Sequence, residues 1–168
     1  MSALALIGAF CLMPPPKKIL LASHGTAGAR AADQAALALC TSETVLLHLT
    51  VVPDFWKGMM GDDWLNNAST RDDYARHVES ELAREIREHQ ATLRGEIGAR
   101  GVEYETKVTL GKPAQCLIEY AAVVRPDLVV IGSPRPARTP GLRSRMQVEP
   151  LLRALRVSLL VVPHPDNV

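Results

Sequence analysis

Leu128-Val129-Val130-Ile131 is the stretch that most constrains the fold: four apolar residues in a row, preceded by Pro126-Asp127 and closed by Gly132. A run this short, with no polar residue alternating in it, reads as a strand covered on both faces. Such a strand belongs in a parallel sheet with helices on either side. The span Glu43 to Val52, closed by Pro53, has the same character, as do Lys17 to Ser23 and Val157 to Val162. Val102 to Leu110 differs, because Glu103, Glu105 and Lys107 alternate with its apolar residues, which predicts an edge strand with one face less buried.

Helical stretches separate these runs. An alanine-rich segment reaches Cys40 after the break at His24-Gly25-Thr26. Tyr74, Val78, Leu82, Ile86, Leu93 and Ile97 recur at helical spacing among charged residues, predicting a long amphipathic helix capped by Ser69 or Thr70 and ending near Gly98 or Gly101. Pro113 opens a third helix running to Val124, where its missing N–H does no harm, and a fourth spans Val148 to Leu155. The alternation predicts an α/β, Rossmann-like open sheet of five parallel strands with helices on both faces. Ligands of such sheets sit at the carboxyl ends of the strands, where the strand order reverses. His24-Gly25-Thr26 and Gly132-Ser133 both fall at strand ends.

A length of 168 residues suits one domain, expected over residues 17–165, with residues 1–16 as an extension outside it. Met1–Met13 is apolar but has no basic residue ahead of it and no small-residue cleavage site, and it is shorter than a bilayer span. Met13 stands directly before Pro14-Pro15-Pro16, so one expectation is that biosynthesis begins there. The net charge of +1 gives no general attraction to nucleic acid or membrane, so neither is expected as a partner. Cys11, Cys40 and Cys116 are scattered singly, which points to neither a zinc site nor a disulfide framework and fits a reducing, cytoplasmic compartment.

Asp127-Leu-Val-Val-Ile-Gly-Ser133 and Leu151-Leu-Arg-Ala-Leu-Arg-Val-Ser-Leu-Leu-Val-Val-Pro163 resemble the closing segments of universal stress proteins. Leu46-Leu47-His48 and Gly111-Lys112-Pro113-Ala114 are similar to that family in order and spacing, so the resemblance runs from Lys17 to Pro163. It implies a stress-response binding protein that dimerises through its last strand and carries no catalytic residue. ATP-binding members have a glycine after the fourth strand, a second three positions on and a third ten beyond that, followed by Ser or Thr. Glycine lets backbone N–H groups approach phosphate. The matching positions here are Gly132, Arg135, Arg145 and Met146, so the spacing survives and the chemistry changes. Where the family has an acidic residue and Gly-Ser after the first strand, this chain has His24-Gly25-Thr26. Both departures count against ordinary ATP binding and leave an altered nucleotide or anion site, with no cofactor assigned.

The candidate ligand-binding residues are therefore His24, Gly25, Thr26, Gly132, Ser133, Arg135 and Arg145. Guanidinium groups hold phosphate or carboxylate in bidentate fashion, and Pro134, Pro136 and Pro140 stiffen the loop that carries them. The plainer reading of that loop is a solvated surface. His24 is the best single candidate for chemistry, since Leu21-Ala22-Ser23-His24-Gly25-Thr26 also resembles the first turn of sirohydrochlorin-type metal chelatases and of phosphotransferase domains whose histidine carries phosphate. An enzyme using His24, or an interaction module with no ligand, are the alternatives. No metal site is expected. His48 reads as a satisfied core histidine, His77 and His89 as solvated, and His164 as lacking a partner. Phe55, Trp56, Met59, Met60, Trp64 and Leu65 crowd one connection and read as core, dimer contact or lid. Gly25-x-x-Gly28 lacks the rest of a dinucleotide fingerprint, and no Walker, HExxH or GxSxG motif is present.

Overall fold

A computed structural model describes residues 14–23, 27–53, 68–133 and 146–165, with side chains of the second helix described from residue 83 onward. The elements run β1 (Lys18–Ala22), α1 (Ala27–Leu39), β2 (Val45–Pro53), α2 (Ala68–Gly98), β3 (Glu103–Gly111), α3 (Pro113–Val124), β4 (Leu128–Gly132), α4 (Val148–Ala154) and β5 (Ser158–Val162). All strand pairs are parallel, in the order β3-β2-β1-β4-β5. The chain therefore winds one way from β1 to β3, then crosses back to lay β4 against the other side of β1. This reversal is what opens a crevice at the carboxyl ends of β1 and β4.

Burial follows the sequence pattern. Ile19, Leu20 and Leu21 of the central strand have no exposed surface. Ile19, Leu21, Leu46 and Val130 pack against Ala32, Ala36 and Leu37 of α1 and Leu93 and Ile97 of α2. On the other face Leu20, Leu47, Leu49, Val129 and Ile131 meet Leu117 and Ala121 of α3 and Leu151 of α4. Each fully buried leucine or isoleucine contributes about 1.5–3 kcal/mol. β3 is an edge strand, with Glu103, Glu105 and Lys107 exposed.

Local chemistry sets the boundaries. Pro113 stands in the first turn of α3 behind an extended Lys112, and the helix stops at Arg125, whose φ of 49° is left-handed and whose N–H donates to the Ala121 carbonyl. At the amino end of the sheet, Asp127 Oδ2 accepts from the backbone N–H groups of Lys17 and Lys18, each at 2.9 Å. α2 differs from the expected cap: it begins at Ala68, which puts Ser69 and Thr70 inside its first turn. β2 runs one residue further than expected, because Pro53 lies at the strand's end opposite Gly111, where the absence of its N–H is tolerated.

Candidate functional site

Gly132 ends β4 directly against the start of α1. A Cβ built on Gly132 would lie 2.4 Å from the carbonyl oxygen of Gly28 and 2.7 Å from its carbon. Only glycine fits, and the neighbour that excludes a side chain is helix backbone, so here Gly132 first serves close strand–helix packing. Ser133 continues the strand, its N–H donating to the Val162 carbonyl at 2.7 Å, while its hydroxyl oxygen accepts from the His164 N–H at 2.8 Å. His164 was expected to lack a partner; it is 3% exposed, with its ring against Gly28. Gly28, Gly132, Ser133 and His164 thus form one packed floor where β4, β5 and α1 converge. Gly132 and Ser133 are the two candidate site residues that this floor contains. His24, Gly25, Thr26, Arg135 and Arg145 lie outside the described residues, as do the segment 54–67 and Cys11. Met146, where a phosphate-binding hydroxyl was expected in the family pattern, is half-buried against the apolar layer under α3 and α4. Its thioether serves packing.

A second polar group lies beneath the crevice, on the α1/α2 face of the sheet. Ser23 follows β1, and its hydroxyl stands 2.9 Å from His48 Nε2 and 3.1 Å from His89 Nε2. His89 Nε2 is also 3.2 Å from Asp33 Oδ2, and His48 Nδ1 is 2.7 Å from the Tyr104 hydroxyl. Ser23 after β1, Asp33 of α1, His48 of β2, His89 of α2 and Tyr104 of β3 therefore join a single hydrogen-bonded chain. An ionised carboxylate only accepts, so His89 Nε2–H donates to Asp33. In the tautomer with Nδ1 protonated, the Ser23 hydroxyl donates to His48 Nε2 and His48 Nδ1–H donates to Tyr104; His48 Nε2 also stands 3.4 Å from the Ser23 carbonyl, an acceptor for it once it carries a proton. Burial drives the His48 imidazole down to about 4, with Asp33 opposing and His89 reinforcing that shift. Burial likewise raises the Tyr104 phenol, partly offset by Arg94, whose guanidinium lies 5.7 Å over its ring. Asp33 Oδ1 and Thr50 Oγ1 are buried without a hydrogen-bond partner among the described residues.

The residue types are those of a hydrolase triad, but the geometry is not. In a triad, one imidazole nitrogen meets the hydroxyl and the other meets the carboxylate. Here the single Nε2 of His89 meets both, and Ser23 is only 2% exposed. Among the described residues, no three His, Cys, Asp or Glu side chains are grouped to hold a metal ion. No helix of the described residues is long and apolar enough to cross a membrane.

This cluster is not reached by the sequence reading, which places His89 in solvent. Its side chain is 13% exposed and faces the sheet. The signal was available: Ile86, His89, Leu93 and Ile97 share one helical stripe, and Asp33 sits four residues after the buried Ala29 and four before the buried Leu37. His48 is fully buried and hydrogen-bonded through both ring nitrogens, as a core histidine should be.

Comparison with known proteins agrees with the topology. The hypothetical protein MJ0577 superposes with a TM-score of 0.71 at 17% identity, covering 91% of this chain and 99% of the other. Universal stress protein UspA from Lactobacillus plantarum gives 0.66 at 17% identity, with 89% and 99% covered. A universal stress protein family protein from Arabidopsis thaliana, determined with AMP bound, gives 0.59 at 18% identity, with 90% and 94% covered. No curated protein matches the sequence. The sequence model of the universal stress protein family matches residues 16–163, which takes in every strand and helix described above, and the chain belongs to that family.

Proposed function

We propose that this protein is a non-catalytic, stress-response binding protein that takes a nucleotide or a related phosphorylated metabolite in the crevice between the carboxyl ends of β1 and β4. The observation that carries the reading is the reversal of strand order between β1 and β4, which sets Gly132-Ser133 beside the chain leaving β1. The AMP bound to the Arabidopsis relative supports the ligand class. His24, Gly25, Thr26 and Ser133 supply short polar or backbone contacts in this reading. Arg135 and Arg145 replace phosphate-binding glycines with guanidinium groups, which hold an anion by charge and bidentate hydrogen bonds. That exchange favours an anionic ligand while abandoning the tight backbone cradle, so ATP itself is not singled out. Gly132 stays because α1 packs on it.

The protein acts as a homodimer in this reading, joined through β5. That strand is an edge of the sheet, and Leu159, Leu160, Val161 and Val162 are each only half-buried in the single chain. A cytoplasmic setting agrees with the free thiol of Cys40. Calorimetric titration with AMP, ADP and ATP tests the ligand: saturable binding that weakens at least tenfold in Arg135→Ala/Arg145→Ala supports the reading. Binding of equal strength in the variant would remove the arginines from the site.

A further inference from the structure

We infer that the Ser23–His48–His89–Asp33 hydrogen-bond chain is an acid-sensitive latch that holds α2 on the sheet and releases it when His48 takes up a proton. His48 is wholly buried in the middle of the sheet, with its imidazole edge-on to His89 and ring centroids 5.4 Å apart. After β1 it meets the Ser23 hydroxyl and, at 3.4 Å, the Ser23 carbonyl; the Asp33 carboxylate of α1 acts on it by charge, His89 faces it from α2, and Tyr104 from β3, over which Arg94 of α2 is stacked. At neutral pH, in the tautomer with Nδ1 protonated, the His48 Nε2 lone pair receives the Ser23 hydroxyl and Nδ1–H donates to Tyr104.

A proton on His48 Nε2 reverses that order. The Ser23 hydroxyl oxygen then faces an N–H from His48 and another from His89, its own proton loses its acceptor, and the Ser23 carbonyl, 3.4 Å from Nε2, shares the new N–H. The new charge stands beside the His89 ring of α2, with the Asp33 carboxylate and the Ser23 carbonyl to offset it. His89, on α2, is the neighbour that disfavours this charge. The remaining attachments of this stretch of α2 are the buried Leu93 and Ile97 in the apolar layer, the Arg94–Tyr104 contact and the exposed Gln34–Glu96 hydrogen bond. β1 and β4 are held by two paired neighbours each and two helical layers, so they stay folded while α2 opens. Lifting α2 exposes His48 to water, where its imidazole recovers ordinary basicity, and this differential uptake of one proton is what drives opening. The low proton affinity that burial gives His48 agrees with this direction.

Hydrogen exchange read by mass spectrometry or NMR, with intrinsic rates normalised at each pH, tests the latch. Amide protection over residues 83–98 should fall roughly thirtyfold between pH 7.5 and pH 5.0, the limit of about tenfold per pH unit for one proton below an open-state value near 6.5. At each pH β1 and β4 should stay better protected than α2, because α2 opens without global unfolding. His48→Gln, which keeps a hydrogen-bonding side chain without a titrating one, should flatten the dependence. Equal protection in α2, β1 and β4 at pH 5.0, or an unchanged dependence in the variant, would overturn the proposal. Should His48→Gln fail to fold, the His48 Cε1–H resonance of the unaltered protein decides. It should titrate in step with α2 exposure, and titration at a different midpoint overturns the latch.

Discussion

Gly28 and Gly132 touch backbone to backbone: a methyl group on Gly132 would stand 2.4 Å from the Gly28 carbonyl oxygen. Neither neighbour is a flexible side chain that can swing aside. Gly132→Ala must push the first turn of α1 away from β4, and overpacking of this kind costs about 1–3 kcal/mol. Urea denaturation should show that loss with an unchanged m-value. A variant as stable as the parent would mean that α1 is not seated as described.

His48 makes stability depend on pH with a definite sign. Its folded value, about 4, lies below the ordinary 6.5, so between those limits the unfolded chain binds more protons. Stability is therefore full above pH 6.5 and declines as pH falls toward 4, by at most about 1.4 kcal/mol per unit and about 3 kcal/mol in all. Denaturation curves from pH 7.5 to 4.5 should show this slope, and His48→Gln should reduce it by roughly one proton's worth.

Asp33 and His89 are both nearly buried, with side chains 4% and 13% exposed. Removing one member leaves the other without its partner, so Asp33→Ala should cost about 3 kcal/mol or more. Replacing both together, as Asp33→Leu/His89→Met, should recover most of that loss, because well-packed apolar residues replace a buried polar pair at little net cost. A double variant no better than Asp33→Ala would show that the pair's remaining contacts with Ser23 matter more than the pair itself.

Asp127 fastens the amino end of β1 by accepting two backbone N–H groups, from Lys17 and Lys18. Hydrogen bonds to a charged acceptor contribute about 1.5–3 kcal/mol each when buried, and these are exposed, so Asp127→Ala should cost about 1–2 kcal/mol in total. Asp127→Asn, which keeps an acceptor without the charge, should fall between the two in thermal denaturation.

The sheet was legible because its strands carry their environment in their composition. Leu128–Ile131 has no polar residue and lies next to the centre, whereas the alternating Glu103, Glu105 and Lys107 mark an edge. The parts that escaped are those decided by tertiary contact. Asp33 stands alone among alanines, and nothing local says that α2 will bring His89 to it. Met146, at the position of the family's phosphate-binding hydroxyl, also packs against the apolar layer under α3 and α4. Gly132, at the position of a phosphate-approach glycine, also has Gly28 as its nearest neighbour. These contacts join residues more than one element apart and are set by the fold.

The binding claim is tested most directly by titrating isotopically labelled protein with AMP and following backbone amide resonances. Saturable shifts should gather at Ser133, in residues 24–26 and in residues 134–145, and they should vanish or weaken at least tenfold with Arg135→Ala/Arg145→Ala. Amides of β3 should stay still. No saturable shift with AMP, ADP, ATP or pyrophosphate at millimolar concentration, or shifts confined to the β5 edge, would contradict a nucleotide or anion site in this crevice.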